Sequence, residues 1–246
     1  TLDVSAGGFT QNATLDVTGA FILLAGGAVT QSTAITVGTT TEITAGGNNI
    51  TLDNAGNDFG GEVRIVSANN VNLRDAGAFA FGNGGGSSVG GNLILQLGGA
   101  VTQTQAVTIT GTTSITAGAN DITLNHISNN FGGEVRIVSG NNVNLRDANT
   151  FAFGNAGISS ITGALILQTS GAITQTQAVT VGGTSTIIAG AAAITLTNTG
   201  NDFTGAVSLS NSGANNVSVR DSNFLQIDTS TVGTFTLNAA SGIDIA

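Results

Sequence analysis

An internal repeat of about 72 residues constrains the fold of this chain more than any other feature of its sequence. The stretch NDFGGEVRIVSANNVNLRDA at residues 57–76 returns almost unchanged at residues 129–148, and with more substitutions at residues 201–222. Residues that keep the spacing are Phe59, Phe131 and Phe203, and Gln31, Gln103 and Gln175. A long internal period indicates one structural unit stacked on the next, so we expect a solenoid.

The repeats leave no remainder, and we interpret residues 1–246 as a single β-solenoid domain. The chain begins within a repeat and lacks an initiator Met, so we expect a processed protein or a piece of a larger one. The repeats run approximately over residues 1–56 (partial), 57–128, 129–200 and 201–246 (partial).

Short alternating segments within each repeat indicate β-strands. Their first and third residues are apolar and face one side, whereas the middle residue faces the other. Examples are Val63–Ile65, Val71–Leu73, Phe79–Phe81, Leu93–Leu95, Val107–Ile109 and Ile122–Leu124. In Leu93–Leu95 the middle residue Ile94 is apolar too, so we expect that strand to be covered on both faces. No stretch has a helical apolar period, which predicts an all-β fold.

Strands this short favour parallel stacking, in which each strand pairs with its equivalent one coil earlier, about 4.8 Å away. The repeat divides into about three coils of around 24 residues, so the chain should form about ten coils and a rod roughly 50 Å long. The 11 Phe residues should fill a narrow interior as stacked rows.

Composition excludes several kinds of partner. The net charge of −9 argues against nucleic acid and anionic lipid, both of which need a basic surface. No apolar run approaches the roughly 18–20 residues of a membrane helix, so no membrane insertion is expected. The chain has no Cys, which excludes disulfides and thiolate metal sites.

The repeat sequence resembles a known family. Segments such as GGAVTQTQAVTITGTTSITAGANDITLNHISNNFGGEVRIVSGNNVNLRDA are similar to the repeat region of filamentous-haemagglutinin-type exoproteins. Those are two-partner-secreted, right-handed β-helical adhesins of Gram-negative bacteria, and the resemblance covers essentially the whole chain. It implies a right-handed parallel β-helix, an extracellular or cell-surface location, and a shaft whose recognised activities lie elsewhere in the protein.

Two charged residues share one strand face in the first full repeat. Glu62 and Arg64 stand two residues apart, so we predict a solvated ion pair rather than an acid/base pair. The second repeat keeps the pair as Glu134 and Arg136, whereas the third has Ala206 and Ser208.

An Arg-Asp dipeptide survives in all three copies. It would either stabilise a turn through hydrogen bonds or form a row along the rod, with roughly 14 Å between members, for lateral contact with a neighbouring rod. The residues are Arg74 and Asp75, Arg146 and Asp147, and Arg220 and Asp221.

Candidates for metal binding are few. Asp58 and Asp202 could each reach a calcium ion at a turn, but the middle copy has Asn130 instead. His126 stands alone, and we expect it to be an exposed turn residue. No cofactor is expected.

These features predict a structural extracellular protein rather than an enzyme, because no clustered carboxylates or nucleophile relay accompany the repeats. The chain would be a subunit of a head-to-tail filament or a shaft segment of a large adhesin, and its partner another copy or further repeats of the same polypeptide. One alternative is an adhesive module that binds a host or surface glycan. Another is a β-helical polysaccharide-degrading enzyme that uses Glu62 and Glu134.

Overall fold

A computed structural model describes residues 1–245, and these form one parallel β-solenoid. The prediction of an all-β fold with parallel stacking is confirmed, since every pairing between its strands is parallel. Over the same residues there is no helix long and apolar enough to cross a membrane.

The strands over residues 1–245 are short, most of them three to six residues. In chain order they are β1 (Leu2–Ala6), β2 (Phe9–Gln11), β3 (Leu15–Val17), β4 (Phe21–Ala25), β5 (Val29–Gln31), β6 (Ile35–Val37), β7 (Thr41–Thr44), β8 (Ile50–Leu52), β9 (Asp58–Phe59), β10 (Glu62–Ser67), β11 (Val71–Asp75), β12 (Phe79–Phe81), β13 (Ser87–Val89), β14 (Leu93–Leu97), β15 (Val101–Gln103), β16 (Val107–Ile109), β17 (Thr113–Thr116), β18 (Ile122–Leu124), β19 (Asn130–Phe131), β20 (Val135–Ser139), β21 (Val143–Asp147), β22 (Phe151–Phe153), β23 (Ser159–Ile161), β24 (Leu165–Thr169), β25 (Ile173–Gln175), β26 (Val179–Val181), β27 (Ser185–Ile188), β28 (Ile194–Leu196), β29 (Asp202–Phe203), β30 (Val207–Ser210), β31 (Asn216–Asp221), β32 (Phe224–Ile227), β33 (Thr234–Ala239) and β34 (Gly242–Ile245).

Two long sheets form the walls of the rod. Sheet I has 13 strands, from β1 and β4 to β32 and β34, and sheet II has 12, from β2 and β5 to β31 and β33. The chain passes alternately from one long sheet to the other along its whole described length. Three short sheets of 3 strands each lie between the long sheets in successive repeats: β3-β6-β9, β13-β16-β19 and β23-β26-β29. The first and third follow strands of sheet II and the second follows strands of sheet I, so the short sheets alternate between opposite sides of the rod.

The rod has about twelve coils, close to the ten expected, because its coils are shorter than predicted. Val63 pairs with Phe81 on the next coil, whereas Ile194 pairs with Val217, so the length of chain in a coil also varies. One repeat contains an odd number of long-sheet strands, so it spans about three and a half coils rather than three. Equivalent strands therefore change sheets in successive repeats: β4 lies in sheet I, β14 in sheet II and β24 in sheet I.

The interior is a continuous apolar core along the rod. Of the 11 Phe side chains predicted to fill the interior, alternation places eight fully inside: Phe21, Phe59, Phe79, Phe81, Phe131, Phe151, Phe153 and Phe203. Phe59, Phe131 and Phe203 do not stack as one row, because they lie in three different short sheets. Phe224 is 50% exposed and Phe235 is 36% exposed near the C-terminal end of the rod. The prediction that Leu93–Leu95 is covered on both faces is wrong, because Ile94 is 41% exposed on the outer face of sheet II.

Candidate interaction surfaces

Each repeat carries a pair of a half-buried Gln and a buried Asn that joins neighbouring coils at a corner. Gln103 and Asn129 exchange two side-chain hydrogen bonds of 2.8 Å. Asn129 also donates to the Leu124 carbonyl and accepts from the Val107 N–H, both at 3.0 Å. The equivalent pairs are Gln31 with Asn57 and Gln175 with Asn201. Because a buried amide group is costly unless it is hydrogen-bonded, these pairs fix the conformation of the corner. Their constant 72-residue spacing in the sequence indicates that the corner recurs in each repeat.

The three Asp residues of the Arg-Asp dipeptides are buried and hold turns. Asp75 accepts from the Gly77 N–H at 2.7 Å and from the Phe59 N–H at 3.2 Å. Asp147 and Asp221 accept from equivalent N–H groups. Burial raises the pKa of Asp75 above its ordinary value against the opposing effect of the two N–H donors, with a further small increase from Asp58. Burial likewise raises the pKa of Asp147.

Of the two alternatives for the Arg-Asp dipeptide, the structure shows the turn, since the three Arg residues point outward and do not form a row. Arg74 and Arg220 lie in sheet II on β11 and β31, seven strands apart, which is roughly 34 Å. Arg146 lies in sheet I. The predicted spacing of about 14 Å along one side is therefore wrong, because an odd number of long-sheet strands moves each copy to the other sheet.

Glu62 joins three successive coils. Its carboxylate accepts a hydrogen bond from Thr104 Oγ1 at 2.6 Å and another from the Asn83 N–H at 2.5 Å. These two donors lower the pKa of Glu62 below its ordinary value. Glu134 makes the same contacts in the second repeat, with Thr176 and Asn155. This three-coil clamp of Glu62 was not predicted, because its donors lie one and two coils further along the chain.

The predicted ion pair between Glu62 and Arg64 is not formed. Arg64 Nη1 instead lies 3.2 Å from the Glu42 carboxylate on the preceding coil, where β10 pairs with β7. The second repeat has Ser114 opposite Arg136, so only the hydrogen bond from the Arg Nε to a carbonyl is kept, to Gly86 in the first repeat and to Ile158 in the second. The pair is therefore particular to one repeat, as expected for a partly exposed contact of small energetic value.

The calcium candidates were expected at turns, but Asp58 and Asp202 are the first residues of β9 and β29, and no ligand cluster surrounds them among the described residues. Asp58 is exposed and Asp202 is half-buried, where its carboxylate accepts from Thr204 Oγ1 at 3.4 Å. No group of three or more His, Cys, Asp or Glu residues that could hold a metal ion occurs within residues 1–245. His126 is half-buried beside a turn, where its Nδ1 accepts from the Ser128 N–H at 3.1 Å.

The outer faces of the two long sheets carry hydroxyl and amide side chains with a few aliphatic ones. Thr10, Thr30 and Thr51 follow one another on adjacent strands of sheet II, and Thr30 Oγ1 donates to Thr10 Oγ1 at 3.1 Å. One strand position carries an exposed Ile in three successive repeats: Ile22 at 36%, Ile94 at 41% and Ile166 at 41%. Ile94 and Ile166 stand among polar neighbours, whereas Ile22 shares its strand face with Leu24, which is 53% exposed.

The two ends of the rod present strand edges that pair with no other described strand on their outer side. At one end β1 and β2 expose the half-buried core residues Leu2, Val4 and Phe9. At the other end Phe235 is 36%, Ile243 41% and Ile245 66% exposed, although all three continue the inward-facing rows. An open parallel edge with apolar residues behind it is a surface on which a further strand can add.

Comparison with known proteins identifies the repeat. The sequence matches the family described as "Repeats of unknown function (DUF5649)" three times, over residues 1–66, 68–138 and 140–210. No curated protein and no solved structure matches the chain. The three matched segments cover most of its length, so the chain belongs to the family of DUF5649 repeats.

Proposed function

We propose that this repeat solenoid is a structural rod that acts through its ends in an extracellular assembly. It is either the shaft segment of a large adhesin or the subunit of a filament stacked head to tail. The exposure of core residues at both open ends supports this most strongly, with Ile245 66% exposed in an inward-facing row. The resemblance to haemagglutinin-type exoproteins supports the extracellular location.

The residues that the repeats preserve also favour a structural role. Several residues common to three copies fill the core or satisfy buried backbone groups: Phe59 and its equivalents Phe131 and Phe203, the Gln–Asn corners and the buried Asp residues. Glu62, the carboxylate considered as a catalytic residue, is replaced by Ala206 in the third copy. The residues kept in three copies are therefore those expected of a repeated structural unit, and not those of a repeated catalytic site.

A second candidate is an adhesive module that binds glycans. The row of Thr10, Thr30 and Thr51 favours it, because three hydroxyls on adjacent strands present donors and acceptors about 4.8 Å apart. Glycan-array binding by the isolated rod, abolished by Thr30→Val, would establish this role. We regard the chain as non-catalytic; cleavage of acidic polysaccharides that Glu62→Gln and Glu134→Gln abolish would contradict this.

Sedimentation velocity over a concentration series tests the role of the ends. Ile243→Lys places a charge at the C-terminal end, and Ile94→Lys is a matched control, since both side chains are 41% exposed. We expect elongated association of the unmodified chain and of Ile94→Lys, and its loss in Ile243→Lys. Association that only Ile94→Lys abolishes would show that rods meet side by side. The absence of association at every concentration would contradict the filament subunit and favour the shaft segment.

A further inference from the structure

We propose that a second copy of this chain docks on the C-terminal end with a half-turn about the rod axis, so that β1 pairs with β33 and β2 pairs with β34. This inference rests on the proposed function and specifies the partner and register of its end surface. In the alternative without rotation, sheet I of one copy would continue sheet I of the other, so that β1 pairs with β34.

The path of the chain favours the half-turn. Strands alternate between the long sheets, and both β1 and β34 belong to sheet I. After β34, the next strand in the winding therefore belongs on sheet II, above β33. Seating β1 on β34 would skip that strand and leave β2 two strand spacings, about 9–10 Å, from β33. Seating β1 on β33 brings both pairs to about 4.8 Å.

The repeats show that a strand of one type fits either sheet. β4, β14 and β24 occupy equivalent positions in the repeat, yet they lie in sheets I, II and I. Each transition between repeats therefore already contains the exchange of sheets that docking of a rotated copy requires. Both long sheets contain strands from the same positions of the repeat, so β1 of the rotated copy meets a strand of the kind that it would pair with inside the chain.

The side chains of the two strands match in register. Inward-facing Leu2, Val4 and Ala6 of β1 fall opposite Phe235, Leu237 and Ala239 of β33. Within the chain, the related strand β4 carries Phe21, Leu23 and Ala25 at corresponding positions. The strand that follows β4 in sheet I begins TTEITAG at residues 40–46, and the segment around β1 reads TLDVSAG at residues 1–7. Strand β1 thus has the pattern that normally succeeds a strand like β33.

The positions of Asp3 and Asp244 distinguish docking with a half-turn from docking without rotation. With β1 on β34, apolar register places Leu2 on Ile243, and the carboxylates of Asp3 and Asp244 then lie directly opposite one another. With β1 on β33, Asp3 lies opposite Thr236, and Asp244 lies opposite Thr10. Like charges directly opposite on neighbouring strands are destabilising, so the half-turn is favoured in a chain of net charge −9.

The interface consists of these two strand pairs. It covers Phe235 and Ile243, which are 36% and 41% exposed in the single rod, with Leu2 and Phe9 of the next copy. The corner above Asp228 and Gly233 receives no strand from either copy in this arrangement. Apolar contact and ladder hydrogen bonds at the two walls therefore provide the association.

Engineered disulfides report the register directly, because the chain has no Cys. In the Ser5→Cys/Asn238→Cys variant, docking with a half-turn brings the two sulfurs onto adjacent strands, within the roughly 4.4–6.8 Å Cα separation of a disulfide. The Asp3→Cys/Asp244→Cys variant reports docking without rotation, and it also removes the repulsion that disfavours it. The two sites of each variant lie about 60 Å apart within one rod, so every disulfide formed joins two molecules.

Under mild oxidation we expect a ladder of disulfide-linked oligomers from Ser5→Cys/Asn238→Cys and mainly monomer from Asp3→Cys/Asp244→Cys. A ladder from Asp3→Cys/Asp244→Cys with mainly monomer from Ser5→Cys/Asn238→Cys would contradict the half-turn but would still show end-to-end association. Association in sedimentation without a ladder from Ser5→Cys/Asn238→Cys would also overturn the half-turn. If neither variant nor the unmodified chain associates, the proposed filament role fails together with this inference.

Discussion

Thr104 Oγ1 donates a hydrogen bond to Glu62 Oε1 at 2.6 Å although 42 residues separate the two along the chain. The intervening coil contributes the Asn83 N–H to the same carboxylate. Asn83 has a φ of 69°, a left-handed conformation that Asn tolerates better than most residues. One carboxylate thus fixes a strained loop and ties three coils together.

Glu62→Gln should lower the free energy of unfolding at neutral pH by up to about 1 kcal/mol, because the site is largely solvent-exposed. The lowered pKa of Glu62 means that its contribution is present above the ordinary Glu pKa of 4.5 and is lost as the pH falls through the folded-state pKa. Urea titrations at neutral and acidic pH should show the difference between the variant and the parent shrinking in acid. A difference that grows in acid would contradict the clamp.

Asp147 should have the opposite dependence on pH. Burial raises its pKa, so ionisation disfavours the folded state and this residue's effect on stability becomes less favourable as the pH rises through the folded-state pKa. Asp147→Asn nevertheless leaves one of two N–H groups, of Phe131 and Asn149, without an acceptor. We expect a loss of about 1–3 kcal/mol at neutral pH, measured by urea unfolding. A stabilised variant would show that desolvation outweighs the hydrogen bonds.

Phe131→Ala should destabilise the rod by about 3–5 kcal/mol, and Phe131→Asp by more, since its side chain is 1% exposed and packs edge-on against Phe151. Arg136→Ala, on the same repeat but facing outward, is the control and should change thermal unfolding little. A silent Phe131→Ala would contradict the inward-facing row.

Glycine is required where coils approach most closely. A Cβ at Gly133 would overlap the carbonyl group of Gly111 on the preceding coil, and Gly61 and Gly205 are equivalent. Gly133→Ala should therefore force the coils apart and cost about 1–3 kcal/mol. Gly47→Ala is the matched control, because a Cβ there meets nothing within 4 Å. Equal melting temperatures for the two variants would contradict the close stacking.

The period and the alternation of residues such as Val63, Arg64 and Ile65 were enough to predict a parallel solenoid with Phe131 inside. The number of coils per repeat was harder to predict, because the corners absorb different lengths of chain from one coil to the next without changing the strands. Because each repeat spans about three and a half coils rather than three, Arg146 lies on the opposite long sheet from Arg74. The partners of Glu62 and Arg64 depend on which residues stack one coil away, which spacing within a strand does not reveal.

Electron microscopy of the 246-residue chain at neutral pH, with a parallel mass determination, tests the central claim most directly. We predict uniform rods that lengthen in steps of about 60 Å at constant width, each step adding the mass of one chain. Only compact particles, or growth in width without growth in length, would contradict a structural rod that acts through its ends.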